Sequence, residues 1–520
     1  MFSGRRLLLS VLIAITFVFL LRSAWVGDDP FITLRTVDNW VNGYGLTWNP
    51  PERVQAYTHP LWMFLLTGVY LFLRQGYFAV LLLSLFVSLM TFIVFLYFFS
   101  REEGLLFVFG WGALILSKSF LDFSTSGLEN PLSHLVALLF LIVFLHMDLS
   151  SERHSLVLVF LAGLVALNRM DLLLLFFPAV AYVIIKYHLN FRGLKFLLIG
   201  FSPLIAWVLF SIVYYGFPFP NTAYAKLNVG LPTSVLVRQG ILYFLNSLSL
   251  DPITLSVIFC AIILVFFQRD IKQKIIALGI VFYGVYVLWI GGDFMSGRFF
   301  STIFLAAIVL LVESAKNLAR PYQYAFASLL LFMGFLSPSG PVYYFSRPIS
   351  TNTESYIDPN SQIADERAVY YPFTSLFITD RGFEMPKSPW VQYGKTYRTN
   401  GPSVITESAI GIIGYYAGPH VYIIDNYALG NALLARLPMK PQEDWRIGHF
   451  RRPLADGYYE TLLSGRNQIK DRDLSLYYDK LSIIIRGRIW SWERFKTIWE
   501  MNTGQYNYLL EGYIQTHYKN

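Results

Sequence analysis

The chain alternates between long apolar stretches and short polar segments from its amino terminus to about residue 337. The first apolar run, residues 7–25, is close to the length of about 20 apolar residues that crosses a bilayer. Arg5 and Arg6 precede it, and positive charge marks the cytoplasmic side of a span. We therefore expect a cytoplasmic amino terminus and a membrane anchor in place of a cleaved signal peptide.

Further apolar runs predict further spans. They lie at residues 77–99, 104–119, 131–148, 155–168, 171–187, 194–214, 252–267, 275–290, 299–313 and 322–337. Basic loops at about residues 186–195, 269–274 and 316–320 are typical of the cytoplasmic side. If all three are cytoplasmic, the short apolar run at residues 61–73 rests on or dips into the outer face without crossing. The pattern then predicts about eleven spans and a carboxyl terminus outside the cytoplasm.

Composition supports the same class. Of the 520 residues, 55% are hydrophobic and only 14% are charged, whereas soluble domains carry about 25% charged residues. The predicted fold class is an α-helical polytopic membrane protein. The net charge of +8 is explained by the basic loops, so we expect no nucleic-acid partner. Cys260 is the single cysteine, which excludes an intrachain disulfide and a cysteine-based metal site.

The composition changes from about residue 338, where proline, glycine, tyrosine and charged residues become frequent and no stretch can span a membrane. Residues 404–410 and 420–424 predict short strands, and residues 462–465 and 491–501 predict helices. We therefore expect a transmembrane catalytic domain at residues 1–337, with its first outer loop at residues 26–60. An extracytoplasmic α/β domain follows at residues 338–520.

Two adjacent carboxylates, Asp28 and Asp29, directly follow the first apolar run and are predicted to emerge on the outer face. One of them could cap a helix that begins at Pro30, since aspartate and proline are both favoured there. A carboxylate could instead accept a proton from a hydroxyl group, or the pair could hold a divalent cation. The residues alone leave these three roles open.

The segment after this pair has Phe31, Leu34 and Val37 at helical spacing, which predicts an amphipathic helix lying in the membrane interface. The alternative is a loop that packs against the rest of the chain. Gly43 and Gly45 are expected to end it. His59 follows as a lone histidine before a proline. It could be a hydrogen-bonded structural residue or part of an acceptor-binding surface.

Other charged residues fall near the predicted outer ends of spans. Glu129 could cap a helix, and Arg169 could pair with Asp171. Taken together, cations beside carboxylates at a membrane surface indicate a site for a lipid phosphate, formed by Glu129, Arg169, Lys226, Asp293 and Arg298. In the tail, Asp425, His449 and Arg451 form either a solvated face or an acceptor-binding surface. No phosphate-binding glycine loop appears in a strand-to-helix context.

Residues 27–61 read GDDPFITLRTVDNWVNGYGLTWNPPERVQAYTHPL and resemble the first outer loop of a group of GT-C glycosyltransferases. Further motifs follow in order along nearly the whole chain. They are TSGLENPL at 125–132, PNTAYAK at 220–226, GGDFMSGRF at 291–299, IDNYALGNALLARLP at 424–438 and RIGHFRRPLADGY at 446–458. The group includes arabinofuranosyltransferases that act on mycobacterial cell-wall arabinan and on Pseudomonas type IV pilin.

The resemblance implies a polyprenyl-phosphate donor of the decaprenyl-phosphoryl-arabinofuranose type and an inverting transfer to a glycan or pilin-like acceptor outside the cytoplasm. It assigns the general base to Asp29 or Asp28, with Asp29 favoured. It also places Glu129, Lys226, Asp293 and Arg298 in the donor cavity. Gln55 departs from the pattern because the family has an acid there, so any catalytic role of that acid fails in this chain. Residues 168–171 read NRMD where the family has arginine, proline and aspartate, so the donor sugar or the acceptor can differ in this chain.

The resemblance further implies a multi-pass protein of the bacterial inner membrane, with membrane lipid around it. No cofactor is required, although a divalent cation is left open. Two rival functions are a flippase for lipid-linked sugars and a non-catalytic envelope scaffold. A flippase needs ionisable residues and broken helices within the membrane, whereas a scaffold would tolerate loss of Asp28 and Asp29.

Overall fold

The computed structural model describes residues 2–101, 106–188, 191–227, 229–345, 353–377, 384–439 and 445–518. Within these ranges the chain is mostly α-helical, with one short sheet. This architecture confirms the predicted class, a polytopic helical membrane protein. The first helices are α1 (Phe2–Ser23), α2 (Asp29–Val41), α3 (Pro60–Leu73), α4 (Gly76–Phe99), α5 (Leu106–Leu116), α6 (Lys118–Phe123), α7 (Asn130–His146), α8 (Glu152–Asn168), α9 (Leu173–Tyr187), α10 (Phe191–Gly200), α11 (Ser202–Tyr214) and α12 (Asn221–Leu227).

The later elements include the two strands. They are α13 (Thr233–Leu250), α14 (Pro252–Phe266), α15 (Ile271–Trp289), α16 (Phe300–Ala315), α17 (Arg320–Phe335), α18 (Glu366–Thr374), α19 (Pro389–Thr399), β1 (Ser403–Glu407), α20 (Ile412–Ala417), β2 (Val421–Asp425), α21 (Tyr458–Ser464), α22 (Arg472–Arg486), α23 (Trp492–Asn502) and α24 (Asn507–His517). Both strands and both tail helices that the sequence predicted are therefore confirmed, with small shifts of their ends.

Several helices have the length and apolar composition of membrane spans. Four continuous segments qualify: Gly4–Ser23, Gly76–Phe99, Met170–Tyr187 and Ile271–Trp289. Two bent pairs raise the number to as many as 6 if each pair is one span. Shorter apolar helices occur at α3, α5, α7 and α16. Each apolar run used in the sequence analysis thus contains a helix, while the count of about eleven spans stays a prediction.

Helix α13 was not predicted from the sequence. Its residues include Arg238, Gln239 and Asn246, so the helix forms no continuous apolar run in the sequence. It meets α14 at a bend of 110°, where Asp251 precedes Pro252. Proline supplies no backbone N–H and disfavours a helical conformation of the preceding residue, which explains the bend.

The chain packs into two compact units, each assembled from separate stretches. The first unit comprises Met1–Gly27, Tyr77–Leu204 and Thr233–Pro386. Its central helix is α16, which is buried on all sides because α5, α7, α14 and α15 pack around it. A helix that is apolar all round belongs in the core of a large helical assembly.

Glycine permits two close helix contacts in this unit. A Cβ atom at Gly279 in α15 would lie 2.0 Å from the carbonyl oxygen of Leu175 in α9. A Cβ atom at Gly163 in α8 would lie 2.4 Å from the carbonyl oxygen of Gly200 in α10. Small residues at helix crossings let backbones approach closely in membrane proteins.

The second unit comprises Asp28–Gly76, Ile205–Pro232 and Lys387–Asn520. Its sheet consists of β1 and β2, which run parallel with Ser403 opposite Val421 and Glu407 opposite Asp425. Helix α20 connects them, as a crossover between parallel strands requires. The two carboxyl ends therefore lie side by side. The predicted domain boundary near residue 337 stays a prediction.

Helix α2 confirms the predicted helical periodicity, and Gly43 follows it with φ at 87°. Residues 30–37 are all buried, because α3 and α20 pack against α2. A helix lying in the membrane interface would keep one face exposed. The expectation of an interfacial helix was therefore wrong, and α2 is a core helix of the second unit.

Arg35 fixes α2 within this unit. Its buried guanidinium donates hydrogen bonds to the carbonyl oxygens of Trp48 (2.8 Å), Gly414 (2.5 Å) and Val421 (2.8 Å), and it lies over the Trp48 ring. A buried charge is tolerated only when it is well hydrogen-bonded. This single side chain thus joins α2, α20 and β2, which brings the start of α2 to the sheet.

Candidate active site

The carboxyl ends of parallel strands are a common place for ligand sites, and β1 and β2 carry polar groups there. The negative charge of Asp425 lies close enough to Asp28 to raise the pKa of the Asp28 carboxyl group. The ring of Tyr427, two residues after β2, meets the ring of His449 at 4.7 Å between centroids. We call Asp28, Asp29, Asp425, His449, Lys226 and Arg446 the strand-edge cluster.

Asp28 is held by the backbone at the start of α20. Its Oδ2 accepts a hydrogen bond from the N–H of Gly411 (2.9 Å), and its Oδ1 accepts one from the N–H of Ile412 (2.7 Å). Burial raises the pKa of Asp28 to about 6, although the two N–H groups oppose this shift and Asp29 adds to it. Asp28 thus caps a helix far away in the sequence, not the helix that follows it.

Asp29 is the first residue of α2 and is half-buried. Helix α2 begins at Asp29, and Asp28 precedes it without a side-chain capping hydrogen bond, so the capping alternative for this pair is not observed at α2. A carboxylate in the first turn is stabilised by the helix dipole. The two adjacent acids therefore have different surroundings, since Asp28 binds the α20 amides and Asp29 starts α2.

Asp425 is the last residue of β2 and is fully buried. Its carboxylate accepts hydrogen bonds from the N–H groups of Tyr427 (2.8 Å), Leu429 and Gly430 (3.1 Å). Burial raises the pKa of Asp425 to about 6, against these hydrogen bonds and the positive charge of Arg452. Asp425 consequently shapes the loop after β2.

The basic side of the strand-edge cluster lies around His449. Burial lowers the pKa of His449 to about 3, and the positive charges of Arg446 and Lys226 lower it further. His449 is therefore a neutral imidazole beside two cations at neutral pH. Lys226 lies in the last turn of α12 with an exposed side chain, and Arg451 is exposed as well.

Asn221 ties the PNTAYAK motif to the loop after β2. Its Nδ2 donates to the carbonyl oxygens of Ala428 (2.8 Å) and Leu429 (3.0 Å). Arg436 donates to the Asn221 Oδ1 at 3.4 Å and lies over the Phe217 ring. These contacts position α12, and with it Lys226, against the strand edge.

Three other polar residues of the first outer loop have structural contacts. Glu52 is buried and forms an ion pair with Arg486 at 2.7 Å. Gln55 accepts a hydrogen bond from the Ser211 hydroxyl at 3.2 Å. His59 binds the Thr33 hydroxyl through Nε2 at 2.8 Å. The geometry favours the structural interpretation of His59, while its role in acceptor binding stays a prediction.

The first unit contains a second group of charged residues, which we call the paired-charge cluster: Glu129, Arg169, Asp171, Asp293 and Arg298. The Arg298 guanidinium lies 3.1 Å from Glu129 and 3.3 Å from Asp293. The Arg169 guanidinium lies 2.6 Å from Asp171 and 3.6 Å from Glu129. The sequence predicted the pairing of Arg169 with Asp171, and the structure confirms it.

Glu129 lies between the two arginines and is almost fully buried. It directly precedes α7, but its carboxylate points to the guanidinium groups and makes no capping hydrogen bond. Of the two alternatives for Glu129, the helix cap is therefore not observed. The structure brings together four predicted donor-site residues, Glu129, Arg169, Asp293 and Arg298, whereas Lys226 belongs to the strand-edge cluster of the other unit.

Aromatic groups support the arginines. Tyr283 donates a hydrogen bond to Asp171 at 2.8 Å. The Arg169 guanidinium lies 4.9 Å from the centre of the Phe299 ring. Gly292 adopts φ of 72°, and a Cβ atom there would come within 2.4 Å of the Tyr243 ring. The glycines of GGDFMSGRF therefore allow this segment to turn against α13.

One buried charge cluster was missed in the sequence. Lys118 in α6 binds Asp122 at 2.6 Å and Asp365 at 3.0 Å. Arg367 lies 3.7 Å from Asp122 and over the Tyr344 ring. The signal was the polar segment between α5 and α7, but its partners lie more than two hundred residues later. The charges balance, which is typical of a structural cluster.

A metal site would need several suitable ligands close together. Among the residues that the structure describes, no three His, Cys, Asp or Glu side chains are grouped so that they could hold a metal ion. The divalent cation left open by the sequence has no candidate site in that part of the chain.

The fold defines the class of the molecule as a polytopic helical membrane protein. No family model matches the chain. The chain is similar to the terminal beta-(1->2)-arabinofuranosyltransferase of Mycobacterium tuberculosis (strain ATCC 25618 / H37Rv), with 32% identity over 239 residues. The match covers 43% of this chain and 37% of the relative. This supports a relationship to arabinofuranosyltransferases, while the likeness to pilin-modifying enzymes stays a prediction.

Proposed function

We propose that this chain is a membrane glycosyltransferase that moves arabinofuranose from a polyprenyl-phosphate donor to a glycan or protein acceptor. The observation that carries the proposal is the 32% identity over 239 residues with an enzyme named as an arabinofuranosyltransferase. Two features of the geometry support the proposal. Carboxylates lie close together at a strand edge, and two arginines contact the same Glu129 carboxylate.

In this proposal Asp29 is the general base. Both carboxylate oxygens of Asp28 already accept backbone hydrogen bonds from α20, so Asp28 is suited to holding the start of α2 in place. Asp29 follows it on a helix fixed by Arg35. A positioned general base contributes about 10²–10⁴-fold to a rate, and its position is set here by rigid elements.

The transfer is a single displacement. The acceptor hydroxyl oxygen bonds to the anomeric carbon while its proton passes to the Asp29 carboxylate. The bond from that carbon to the phosphate oxygen breaks, and its electron pair leaves with the polyprenyl phosphate. Attack opposite the leaving group inverts the anomeric configuration, and no second, nucleophilic carboxylate is required.

Arg298 and Arg169 of the first unit are the proposed phosphate ligands, and Lys226 of the second unit is proposed separately as a donor-binding cation. An arginine binds phosphate oxygens through a bidentate fork. In the structure both arginines are bound by Glu129, Asp171 and Asp293. The carboxylates hold the guanidinium groups in place. Two guanidinium groups face three carboxylates here, so the donor phosphate would bind by displacing a carboxylate from each arginine, and the freed positive charge would then stabilise the developing anion.

Acceptor binding is proposed for the basic side of the strand edge, where His449 is neutral beside Arg446. Asp425 shapes the loop there, and Arg451 is exposed. The four residues proposed for acceptor binding are Asp425, His449, Arg451 and His59. We place the reaction on the extracytoplasmic face of a bacterial inner membrane.

The test uses purified full-length protein in detergent with polyprenyl-phosphoryl-[¹⁴C]arabinofuranose and an arabinan oligosaccharide. Wild-type protein should transfer label and give a product of inverted anomeric configuration by NMR. Transfer only from other polyprenyl-phosphate sugars would keep the reaction class and reject arabinose. Absence of transfer from every lipid donor would reject the proposed function.

A lipid-linked sugar flippase is the second candidate, because α13 and α14 meet at a 110° bend with Asp251 buried beside it. Broken helices with an ionisable residue are typical of transporters. Reconstituted vesicles distinguish the two functions. A flippase moves fluorescent lipid-linked sugar between leaflets without acceptor, whereas a transferase consumes it only when acceptor is added.

A further inference from the structure

Three exposed tryptophans lie together in the second unit. Trp490, Trp492 and Trp499 are 79%, 83% and 68% exposed, and they are the most exposed of the tryptophans. Large aromatic side chains that stay exposed to water lose the free energy that burial of their apolar surface would give. Their concentration on α23 and the residues just before it indicates a surface that meets a partner.

Helix α23 has two distinct faces. Trp492 and Trp499 are seven residues apart, so they lie on one face two turns apart, with exposed Lys496 between them. Arg494, Thr497 and Ile498 are buried on the opposite face. An interfacial membrane helix directs such aromatic side chains toward the lipid. Lys496 also pairs with Glu500 at 3.7 Å, and Glu493 is exposed next to Trp492.

Arg494 shows where this helix lies. Its fully buried guanidinium donates hydrogen bonds to the carbonyl oxygens of Val213 (2.7 Å) and Tyr214 (2.9 Å), and also to Ile484 (2.8 Å). Val213 and Tyr214 are the last residues of α11, where helix carbonyls lack partners within the helix. Helix α23 is therefore fixed against the carboxyl end of α11.

Helix α11 is itself apolar and exposes Leu209, Ile205 and Phe210. In a polytopic membrane protein such a helix lies in the bilayer, so its end lies at the bilayer surface. Tryptophan is enriched at that level, because its ring is apolar and its N–H is polar. The lysine and Arg488, which is also exposed, can reach the phosphate zone.

We infer that residues 488–499 form an interfacial anchor, which inserts the three tryptophans into the headgroup region of the membrane that the chain spans. The anchor holds the carboxyl-terminal part of the second unit at the membrane surface. This inference rests on the membrane class of the chain and is independent of glycosyl transfer.

The test places an NBD fluorophore in the full chain, in nanodiscs, at Trp492→Cys in a Cys260→Ala background. A matched control carries the same label at Arg466→Cys, an exposed residue of the same unit outside α23. Nitroxide phospholipids supply the quencher. We expect quenching at position 492 to be at least twofold stronger than at position 466. Quenching at position 492 should also be stronger when the nitroxide is near the lipid headgroup than when it is deep in the lipid acyl chain.

Equal quenching at the two positions would overturn the anchor. Self-quenching between two labelled copies at position 492, without lipid quenching, would assign the surface to a second copy of the chain and also overturn it. A second label at Trp490→Cys guards against a local effect at position 492, and it should show the same lipid quenching. Unchanged thermal unfolding of each variant verifies folding.

Discussion

Carboxylates occur in two surroundings in this molecule. At the strand edge, Asp28 and Asp425 accept hydrogen bonds from backbone N–H groups, and burial raises the pKa of each to about 6. In the paired-charge cluster, Glu129 and Asp293 instead face guanidinium groups at 3.1 and 3.3 Å. Backbone amides fix a carboxylate without supplying a full positive charge, so it can still take up a proton near neutral pH.

The two surroundings suit two proposed roles. Asp28, which the α20 amides hold in place, positions the start of α2 and with it the proposed base, Asp29. A site for a phosphate instead needs fixed positive charge, which arginine supplies at every physiological pH. The predictions below alter one surrounding at a time.

The largest effect is expected in the paired-charge cluster. Arg298→Leu leaves Glu129 and Asp293 buried without one of their cations, and losing one partner of a buried pair costs about 3–5 kcal/mol. Adding Glu129→Leu should recover part of that loss, because the uncompensated charge is removed. Chemical denaturation of the two single variants, Arg298→Leu and Glu129→Leu, and of the double variant measures the coupling, and an additive result would contradict the pairing.

A smaller effect is expected at the α20 amides. In Gly411→Ala the new Cβ would lie 2.0 Å from the Asp28 carbonyl oxygen. Overpacking of this kind costs about 1–3 kcal/mol, and it should displace Asp28 and slow transfer. The control is Gly68→Ala in α3, where a Cβ atom meets nothing within 4 Å. Equal stability of the two variants would contradict the tight fit at Asp28.

The pH dependence of stability tests Asp28 directly. Its folded pKa of about 6 is above the ordinary value of 3.8 for this carboxyl group, so the folded state binds its proton more tightly than the unfolded state. That contribution is complete below about pH 4 and is lost as pH rises through 6. In Asp28→Asn, the change in the free energy of unfolding between pH 4 and pH 6 should be smaller than in wild type by about 1 kcal/mol. This value allows for solvent screening at a half-buried group, and thermal unfolding at several pH values measures it.

A matched variant controls this measurement. Asp479→Asn makes the same chemical change at an exposed residue of α22, and its pH dependence should follow that of wild type. If Asp28→Asn also follows wild type, the raised pKa of Asp28 is refuted.

The smallest effect is expected at Lys226, whose side chain is exposed. Lys226→Ala should raise the KM for donor by about twofold to fivefold, since exposed charges contribute less than about 1 kcal/mol. The effect should shrink at high salt because ions screen exposed charges. Steady-state kinetics at two ionic strengths measure it, and a salt-independent loss would indicate a structural role.

Local patterns in the sequence predicted much of the fold. The apolar runs predicted helices, and the period of α2 followed from Phe31, Leu34 and Val37. The two strands were predicted from residues 404–410 and 420–424, which precede Asp425 in the sequence. Burial of α2 on both faces could not be predicted, since it depends on α20, which lies far away in the sequence.

The candidate site was predictable as residues and not as contacts. Asp28 and Glu129 were singled out by their positions beside apolar runs. The partner of Asp28 is Gly411, 383 residues later in the sequence. Lys118 pairs with Asp365, which follows it by more than two hundred residues. Such pairings arise from tertiary packing, which periodicity and spacing do not encode. Resemblance of motifs indicated the residues but could not assign separate roles to Asp28 and Asp29.

The most direct test measures transfer rate and thermal stability together for Asp28→Asn and Asp29→Asn, with Asp479→Asn as control. The account predicts that Asp29→Asn lowers kcat by about 10²–10⁴-fold with unchanged stability and unchanged KM for donor. It predicts that Asp28→Asn alters stability and its pH dependence with a smaller loss of rate. Full transfer activity in Asp29→Asn would contradict the account.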